Sequence, residues 1–366
     1  MSDSHLGAGD GHPRRGPSGL TMRQEDIIAG FTQAVDAIIA INPSLCIHSG
    51  DLFHAVKPSN RIMAVAAEQL HRLAGDKGIP TVVIGGNHDT PRQPHAGTAL
   101  EVFHHIDNLY IAVGGGPQSF AVGDVRVQAV PHCLTASLLK EALASCRPDS
   151  NARYNVLVMH GVAAGMPEFS MADLGEQELP LEIMEGFDYV ALGHFHNHAK
   201  VASRAYYAGS TDRLSQAERD AAKGFVVVDL EPFSVQFHEI ACRPMLTIDT
   251  IDATGKRGDQ LADLIKEQLQ SIDSSDKIVR VKVEGVSEET LRTIPAEVIA
   301  SLKRDSFSLD ITFEKDRSEA PAVGFGRSAI GRLDKGFLQF LEVVDLEGFD
   351  RDLLSREALK YLAESE

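Results

Sequence analysis

Apolar positions at helical spacing alternate with short, wholly apolar runs along the first 90 residues. From Ile27 to Ile38 they recur every three or four residues, and a capping box at Thr21 predicts where this helix begins. Wholly apolar runs at 45–47 and 80–84 predict buried strands on either side of a second helix. This order of elements is typical of an α/β fold.

The middle of the chain continues with short strands around one further helix. The strands are expected at 109–113, 120–122, 125–130, 156–159, 189–192, 206–210 and 224–230, and the helix at 134–144.

A change of pattern near Pro244 predicts a second, smaller domain over residues 241–315. Its strands are expected at 246–251, 278–283 and 309–313, and its helices at 260–269 and 290–302, the latter broken by Pro295. A linker rich in Gly, Ala, Ser and Pro at 316–332 and two short amphipathic helices at 333–366 are predicted to follow.

Composition limits the classes of function. The 366 residues carry a formal charge of −17, which argues against tight, non-specific nucleic-acid binding by the chain alone. A nucleic-acid substrate would have to meet a locally basic rim or be held by a partner. The candidates for such a rim are Arg14, Arg15, Lys57, Arg61 and Arg92. No apolar run reaches the ~18 residues of a membrane span, and the four scattered cysteines are typical of a reduced, cytosolic protein.

Five short segments carry the residue types of a metal centre, and most of them follow an apolar run. They read Asp-Ser-His at 3–5, Gly-Asp-Leu-Phe-His at 50–54, Gly-Asn-His-Asp at 86–89, Met-His-Gly at 159–161 and Gly-His-Phe-His at 193–196. Because ligands collect at the carboxyl ends of strands in open α/β sheets, we expect these segments to meet at one edge. The remaining histidines fit no motif and are interpreted as surface or core residues: His12, His48, His71, His95, His104, His105, His132, His198 and His238.

The donor set suits the hydrolysis of a phosphodiester. This reaction requires an activated water, neutralisation of charge at phosphorus and help for the leaving oxygen, and two divalent ions roughly 3.5–4 Å apart supply the first two. A carboxylate must bridge such a pair, and Asp51 is the candidate. Since the set is rich in imidazole and lacks thiolate, it favours manganese, iron or zinc over magnesium. We expect two divalent ions, with Mn²⁺ as the first choice.

The same segments resemble the calcineurin-like metallophosphoesterases and, within them, the SbcD-type DNA double-strand-break repair nucleases. The motifs at 3–7 and 50–54 are similar to the first two of that branch, and residues 207–215 with 223–226 resemble its strand pair after the last histidines. The resemblance implies a four-layer α-β-β-α metallophosphoesterase sandwich over residues 1–240. It also implies a small α/β capping domain that binds DNA at 241–315, and a C-terminal helical tail that docks on an ATPase.

The resemblance further implies a role for each residue of the site. His88 would stabilise or protonate the leaving oxygen, an effect of about 10²–10⁴ on the rate, and His54 would orient His88 or the phosphate. Apart from the resemblance, the position of Asp89 beside the Asn-His pair predicts that it accepts hydrogen bonds that set the loop geometry. The metal ligands would be Asp3, His5 and His196 for one ion, Asn87, His160 and His194 for the other, and Asp51 as the bridge.

The start of the chain departs from the family pattern. A complete apolar strand precedes the first motif in the family, whereas only Met1 and Ser2 precede Asp3 here. We therefore expect a gap in the sheet and a frayed pair of ligands at Asp3 and His5. The two explanations are an internal or misassigned start at Met1 and a shortened protein of reduced activity.

The sequence thus predicts a metal-dependent DNA exonuclease and endonuclease that acts on double-stranded and hairpin ends during double-strand-break repair. The resemblance implies an SMC-like ABC ATPase partner of the SbcC type, a homodimer of the nuclease subunit, and a cytoplasmic, nucleoid-associated location without membrane contact. One alternative is another metallophosphoesterase, either a small-nucleotide phosphodiesterase or a phosphatase. The other is a catalytically weakened scaffold subunit.

Overall fold

Helix α1 spans Met22–Ile41 in the computed structural model, which describes residues 1–165, 178–315, 351 and 353–356. Thr21 forms the expected capping box with Gln24, and Asn42, at a left-handed φ of 53°, ends the helix. The apolar face of α1 is fully buried at Phe31. The helix therefore confirms the pattern that predicted it.

The other helices also follow the predicted order. They are α2 (Asn60–Leu70, continued by a π-helical turn at His71–Asp76), α3 (Ala136–Ser145), α4 (Gly258–Ser271), α5 (Glu288–Thr293) and α6 (Ala296–Asp305). Short 3₁₀ turns occur at Pro94–Ala96, Ala99–Phe103, Leu181–Met184, Gln216–Glu218 and Ser274–Asp276.

The strands are more numerous than predicted, because four of them were not expected and one predicted strand forms as two. In chain order they are β1 (Cys46–His48), β2 (Thr81–Ile84), β3 (Leu109–Ala112), β4 (Gln118–Val122), β5 (Val125–Val130), β6 (Tyr154–His160), β7 (Val162–Ala163), β8 (Glu178–Leu179), β9 (Tyr189–Gly193), β10 (Ala199–Ala202), β11 (Ala205–Tyr207), β12 (Gly224–Leu230), β13 (Phe233–Glu239), β14 (Met245–Thr247), β15 (Ile251–Asp252), β16 (Ile278–Val286) and β17 (Ser308–Lys315). The unpredicted strands are β7, β8, β10 and β13. The first two are only two residues long, and the residues of β10 and β13 are mostly half-buried or exposed.

Two stacked sheets form the centre of the first 240 residues. One is the parallel sheet β1-β2-β3, and the other has the order β10-β11-β9-β6-β5-β4. Small and β-branched side chains fill the space between them, with Val82 and Ile84 from the first sheet facing Val127 and Val158 from the second. Helices α1 and α2 cover the outer face of the first sheet and α3 that of the second, which confirms the α-β-β-α sandwich.

The first residues of the chain are held alongside β1. The Met1 ammonium donates to the Ile47 carbonyl at 2.9 Å, and the Asp3 amide donates to the Gly50 carbonyl at 3.0 Å. Asp3 and His5 are 0% and 1% exposed. The prediction of a frayed ligand pair is therefore wrong, because backbone hydrogen bonds to the loop after β1 fix both residues.

A cavity of about 520 Å³ lies beside Met1, where a gap in the sheet was expected. It opens between β1 and β12, and Leu45, Ile47 and Phe225 are among its apolar lining residues. Asp3 and His5 stay fixed despite this cavity, because backbone hydrogen bonds to the loop after β1 hold them.

A separate sheet forms the region from β14 to β17. β14 and β15 both pair with β16 in parallel, and β17 also pairs with β16. Thr247 lies opposite Arg280 and Ile251 opposite Val283, so the predicted strand at 246–251 carries one extra residue and divides into β14 and β15. Pro295 separates α5 from α6, as expected.

Side chains of the first 240 residues hold this sheet in place. The Arg243 guanidinium lies 3.6 Å from the ring centroid of Phe307 and donates to both carboxylate oxygens of Asp26 at 2.7 Å. Arg14 donates to the Ser306 carbonyl at 2.7 Å. Arg14 therefore contacts the end of α6 in the second region, which removes it from the predicted basic rim.

The domain limits at 240 and 315 stay predictions, and Met1–Glu314 form one compact unit. The predicted linker at 316–332 and tail at 333–366 lie outside the described residues, except for 351 and 353–356, which are helical. All four cysteines are free thiols. Within the described ranges, no helix combines the length and apolarity that a membrane span requires.

Tyr207 offers a test of the core beside β6. Its hydroxyl donates to the Gly161 carbonyl at 2.7 Å and accepts from the Ala163 amide at 2.8 Å, and the residue is fully buried. Tyr207→Phe should lower the free energy of unfolding by about 1–3 kcal/mol, because two buried backbone groups lose their partner. Urea denaturation measures this, with the half-buried neighbour Tyr206→Phe as the matched control. Equal effects of the two substitutions would contradict the expectation.

Candidate metal centre

Four strand ends from the two sheets meet at one edge of the sandwich. β1 and β2 lead to Asp51 and Asn87, while β6 ends at His160 and β9 leads to His194. The register of β6 and β9 places His160 opposite Gly193. The carboxyl ends of parallel strands thus bring the motifs together, as the sequence predicted.

Two positions in the motifs require glycine, because the side chain of a candidate ligand lies close against the backbone there. Gly50 has a φ of +101°, and a Cβ there would collide with the His160 imidazole. A Cβ at Gly86 would collide with the Asp51 carboxylate. These positions exclude any other residue while the candidate ligands keep their places.

Four candidate ligands have backbone conformations that L-residues rarely adopt. Asp3, His5, Asp51 and His194 have φ values of 52°, 43°, 54° and 102°. Each such residue costs of order 1–3 kcal/mol and persists only where its surroundings fix it. The concentration of strain in these residues marks the edge of the sandwich as a functional site.

One donor cluster consists of Asp3, His5 and His196. One ligand atom from each lies within 4.8 Å of the other two, and the Nε2 atoms of His5 and His196 are 3.1 Å apart. The Asp3 carboxylate also accepts from the His194 amide at 2.9 Å, which joins this cluster to its neighbour.

A second cluster consists of Asn87, His160 and His194. Asn87 Oδ1 lies 2.9 Å from His160 Nε2 and 3.2 Å from His194 Nδ1. His160 Nδ1 donates to the Ser49 carbonyl at 2.9 Å, so Nε2 is the atom left to face Asn87. Because an amide oxygen and an imidazole lone pair both lack a hydrogen to share, this contact requires a proton or a metal ion between them.

Asp51 lies between the two clusters. Its Oδ2 is 3.6 Å from His5 Nε2 and 3.4 Å from His160 Nε2, and its Oδ1 accepts from the His88 amide at 2.9 Å. The residue is 1% exposed. Two adjoining groups of nitrogen and oxygen donors, joined by one buried carboxylate, fit a pair of divalent ions.

The electrostatics of the centre follow from its burial. Burial opposes ionisation of Asp51, but the charge and hydrogen bond of His160 outweigh it and lower the Asp51 pKa below its usual range. Burial also acts against the charged form of His160, yet Asp51 raises the His160 pKa to about 9. Burial lowers the pKa of His194 to about 3 and that of His5 well below 6.5, so both are neutral donors at physiological pH.

His88 and His54 lie on the more open side of the centre. Nδ1 of His88 donates to the His54 carbonyl at 2.7 Å, and the two rings stack with centroids 5.2 Å apart. The His5 ring meets His88 edge-on at 4.7 Å. The contact that orients His88 is therefore made by the backbone of His54, while the His54 side chain is exposed.

Asp89 joins two loops behind the centre. Its carboxylate accepts from the amides of Phe53 at 2.9 Å, Gly86 at 3.0 Å and Leu52 at 3.1 Å. The prediction that Asp89 accepts hydrogen bonds and sets the loop geometry is confirmed.

Three residues near the centre were missed by the sequence motifs. The amide of the half-buried His132 donates to the Gly85 carbonyl at 2.8 Å, next to the motif at 86–89, and burial and the charge of His160 lower the His132 pKa to about 4. Glu218 Oε1 lies 3.2 Å from His196 Nδ1, and Lys223 contacts Glu218. Burial would raise the Glu218 pKa, but the hydrogen bond from His196 and the charge of Lys223 lower it to about 2. No local pattern links Glu218 to His196, because a strand pair separates them.

A family model of calcineurin-like phosphoesterases matches residues 1–198, the part of the chain that carries all five motifs. The chain belongs to this family. It is similar to the DNA double-strand break repair protein Mre11 of Sulfolobus acidocaldarius, with 26% identity over 78% of this chain and 74% of the relative. The Mre11 of Methanococcus maripaludis is 29% identical over 76% of this chain and 74% of its own length. The Mre11 of Saccharolobus solfataricus is 31% identical over 62% of this chain and 57% of its own length. The resemblance to double-strand-break repair nucleases is confirmed.

The raised His160 pKa predicts the alkaline pH dependence of the metal-stripped protein. Between about pH 7 and 9 the folded chain holds a proton on His160 that the unfolded chain releases, so stability should fall as pH rises. Burial would lower the pKa of His196, but the hydrogen bond to Glu218 raises it. His196 therefore also makes stability fall as pH rises. Thermal unfolding in a chelator should show a falling midpoint over this range.

His160→Gln is the control for this pH dependence, since it removes the proton and should flatten the curve. Mn²⁺ competes with the same proton, so Mn²⁺ affinity should rise over the same range. A midpoint that increases from neutral to alkaline pH would contradict the assigned protonation.

Proposed function

We propose that this protein is a manganese-dependent nuclease that hydrolyses phosphodiesters at DNA ends during double-strand-break repair, as an exonuclease and an endonuclease. The observation that carries the proposal is the convergence of seven nitrogen and oxygen donor residues, Asp51 among them, at one edge of the sandwich. Its class of substrate is supported by the similarity to Mre11 proteins over most of the chain. Membership of the phosphoesterase family accounts for the type of bond.

The proposal assigns each donor to one of two ions. Asp51 would be shared by both ions, because its Oδ2 lies 3.6 Å from His5 Nε2 and 3.4 Å from His160 Nε2, one imidazole of each cluster. Divalent ions held there would supply charge neutralisation at the phosphate and activation of water. The assigned ligands are Asp3, His5 and His196 for the first ion, and Asn87, His160 and His194 for the second.

His88 is proposed to serve the leaving oxygen. Because its Nδ1 hydrogen is held by the His54 carbonyl, Nε2 is the atom that remains for the substrate. A proton on Nε2 of the imidazolium passes to the leaving oxygen, and the rigid contact to the His54 backbone fixes its direction.

The proposed partners follow from charge and from the relatives. Arg15, Lys57, Arg61 and Arg92 are exposed and remain candidates for a phosphate-contacting rim. The bulk charge of −17 favours help from a partner in binding DNA. We assign this role to an SMC-like ATPase of the SbcC type docked on the tail at 333–366, with a homodimer of the nuclease subunit acting on double-stranded and hairpin ends at the nucleoid.

Asn87→Ala tests the centre in a Mn²⁺-dependent digestion of an end-labelled DNA duplex. The substitution removes a donor of the second cluster. It should raise the activation barrier by several kcal/mol, which lowers the rate about 100-fold or more. Asn151→Ala is the matched control, since Asn151 is exposed near the amino end of β6, the opposite edge of the sheet. Digestion that survives Asn87→Ala would refute the assigned site. No digestion, with good turnover of small phosphodiesters, would favour the small-nucleotide phosphodiesterase.

His88→Gln separates the proton donor from the ion-binding residues. The rate of digestion should fall about 10²–10⁴-fold while the Mn²⁺ affinity, measured by calorimetry, stays unchanged. His104→Gln removes an exposed histidine elsewhere on the surface and should alter neither quantity. A parallel loss of Mn²⁺ binding in His88→Gln would place His88 among the ligands instead.

A further inference from the structure

A buried ion pair lies behind His196, on the side of the ring away from His5. Glu218 is 7% exposed, and its Oε1 lies 3.2 Å from His196 Nδ1 and 3.0 Å from the Ser215 hydroxyl. Its Oε2 accepts from Lys223 Nζ at 2.6 Å. Every side of this carboxylate therefore meets a donor, which holds it in one orientation.

Lys223 joins the carboxylate to the backbone of the histidine. Lys223 is 1% exposed, and its Nζ donates to the His196 carbonyl at 2.8 Å and to the Ser210 hydroxyl at 3.0 Å. The Ser210 amide in turn donates to the same His196 carbonyl at 3.0 Å. The ammonium thus fixes both the peptide that carries His196 and the carboxylate that faces its ring.

The chemistry of the carboxylate determines the tautomer of the histidine. An ionised carboxylate only accepts hydrogen bonds, so Nδ1 of His196 must carry the hydrogen. Nε2 then presents its lone pair to His5 Nε2, 3.1 Å away, and to the cluster with Asp3.

Stability alone accounts poorly for this pair. A buried ion pair loses most of its mutual attraction to the cost of desolvation, and well-packed apolar residues often do as well. A charged Glu218–Lys223 pair can instead orient the His196 ring, which faces the donor cluster with Asp3 and His5. Carboxylates that hold metal-bound imidazoles in this way are common partners in metal sites.

We propose that Glu218, held by Lys223, is a positioning residue that fixes the tautomer and direction of His196 and thereby sets the affinity of the first metal site. The inference rests on the metal centre of the proposed function. It extends the role of the segment at 223–226 from a strand of the fold to a support of the site.

The first experiment needs no substitution in the ion pair. Long-range ¹H–¹⁵N spectra of the metal-stripped, ¹⁵N-histidine-labelled protein report which ring nitrogen of His196 carries the hydrogen at alkaline pH, with His196→Asn used for assignment. We expect the hydrogen on Nδ1. A hydrogen on Nε2 would overturn the proposal, whatever the protein does with metal.

The second experiment measures Mn²⁺ binding by calorimetry in Glu218→Gln. In one orientation the NH₂ group of the new amide faces His196 Nδ1 and opposes a hydrogen on that nitrogen. In the other it faces Lys223 Nζ and breaks the contact that holds the carboxylate in place, so both orientations weaken the support of the ring. One of two Mn²⁺ sites should weaken about 10–100-fold while the other is unchanged. Glu239→Gln removes the same charge from the exposed end of β13 and should leave both sites unchanged.

The outcomes separate this inference from the function on which it rests. Two Mn²⁺ sites of unchanged affinity in a folded Glu218→Gln protein would overturn the role of Glu218 and leave the nuclease proposal standing. Failure of the unsubstituted protein to bind Mn²⁺ would overturn the metal centre itself, and the tautomer spectrum would then decide the inference. If Glu218→Gln does not fold, the same spectrum of the unsubstituted protein decides it.

Discussion

The centre depends on acceptor atoms that face one another in a buried site. Asp51 is 1% exposed and lies within 3.6 Å of imidazole nitrogens from both clusters. Burying an isolated carboxylate is costly, and so is placing an amide oxygen against an imidazole lone pair. Only positive charge between these atoms removes the cost, either as protons on the imidazoles or as metal ions. The arrangement therefore favours bound protons or cations at this position.

The fold keeps these atoms together against their mutual repulsion. Strand ends from two sheets supply the donors, and glycines at 50 and 86 let the backbone pass close beside His160 and Asp51. Four candidate ligands have positive φ values, a costly backbone conformation that persists only because the surrounding structure fixes it. A second ring of contacts, from Ser49 to His160 and from Asp89 to the loops, holds the donors in their orientations.

The two faces of the centre differ in what they contact. The first ligands are buried under the ladder between residues 1–6 and the loop after β1, whereas His54 is exposed beside His88. A phosphodiester would have to approach from the side of these two histidines. The acidic bulk of the chain disfavours nucleic acid elsewhere on the surface, so a DNA substrate would depend on the local surface around this approach.

The sequence by itself determined the order of the elements, the α/β class and the identity of the candidate ligands. Helical spacing and short apolar runs are local signals, and polar motifs that follow buried strands point to one edge of a sheet without further information. The bulge between β14 and β15 and the weakly patterned strand β13 were beyond such signals.

The tertiary structure alone decided which distant groups support the site. It ordered Asp3 and His5 through hydrogen bonds to residues 50–52, and it placed Glu218 behind His196. It also joined Arg243 to Asp26, which lie 217 residues apart. These contacts depend on the path of the chain through several loops, so no local periodicity encodes them. The residues that would bind an ion can be read from the sequence, whereas those that orient them become visible only when the chain is folded.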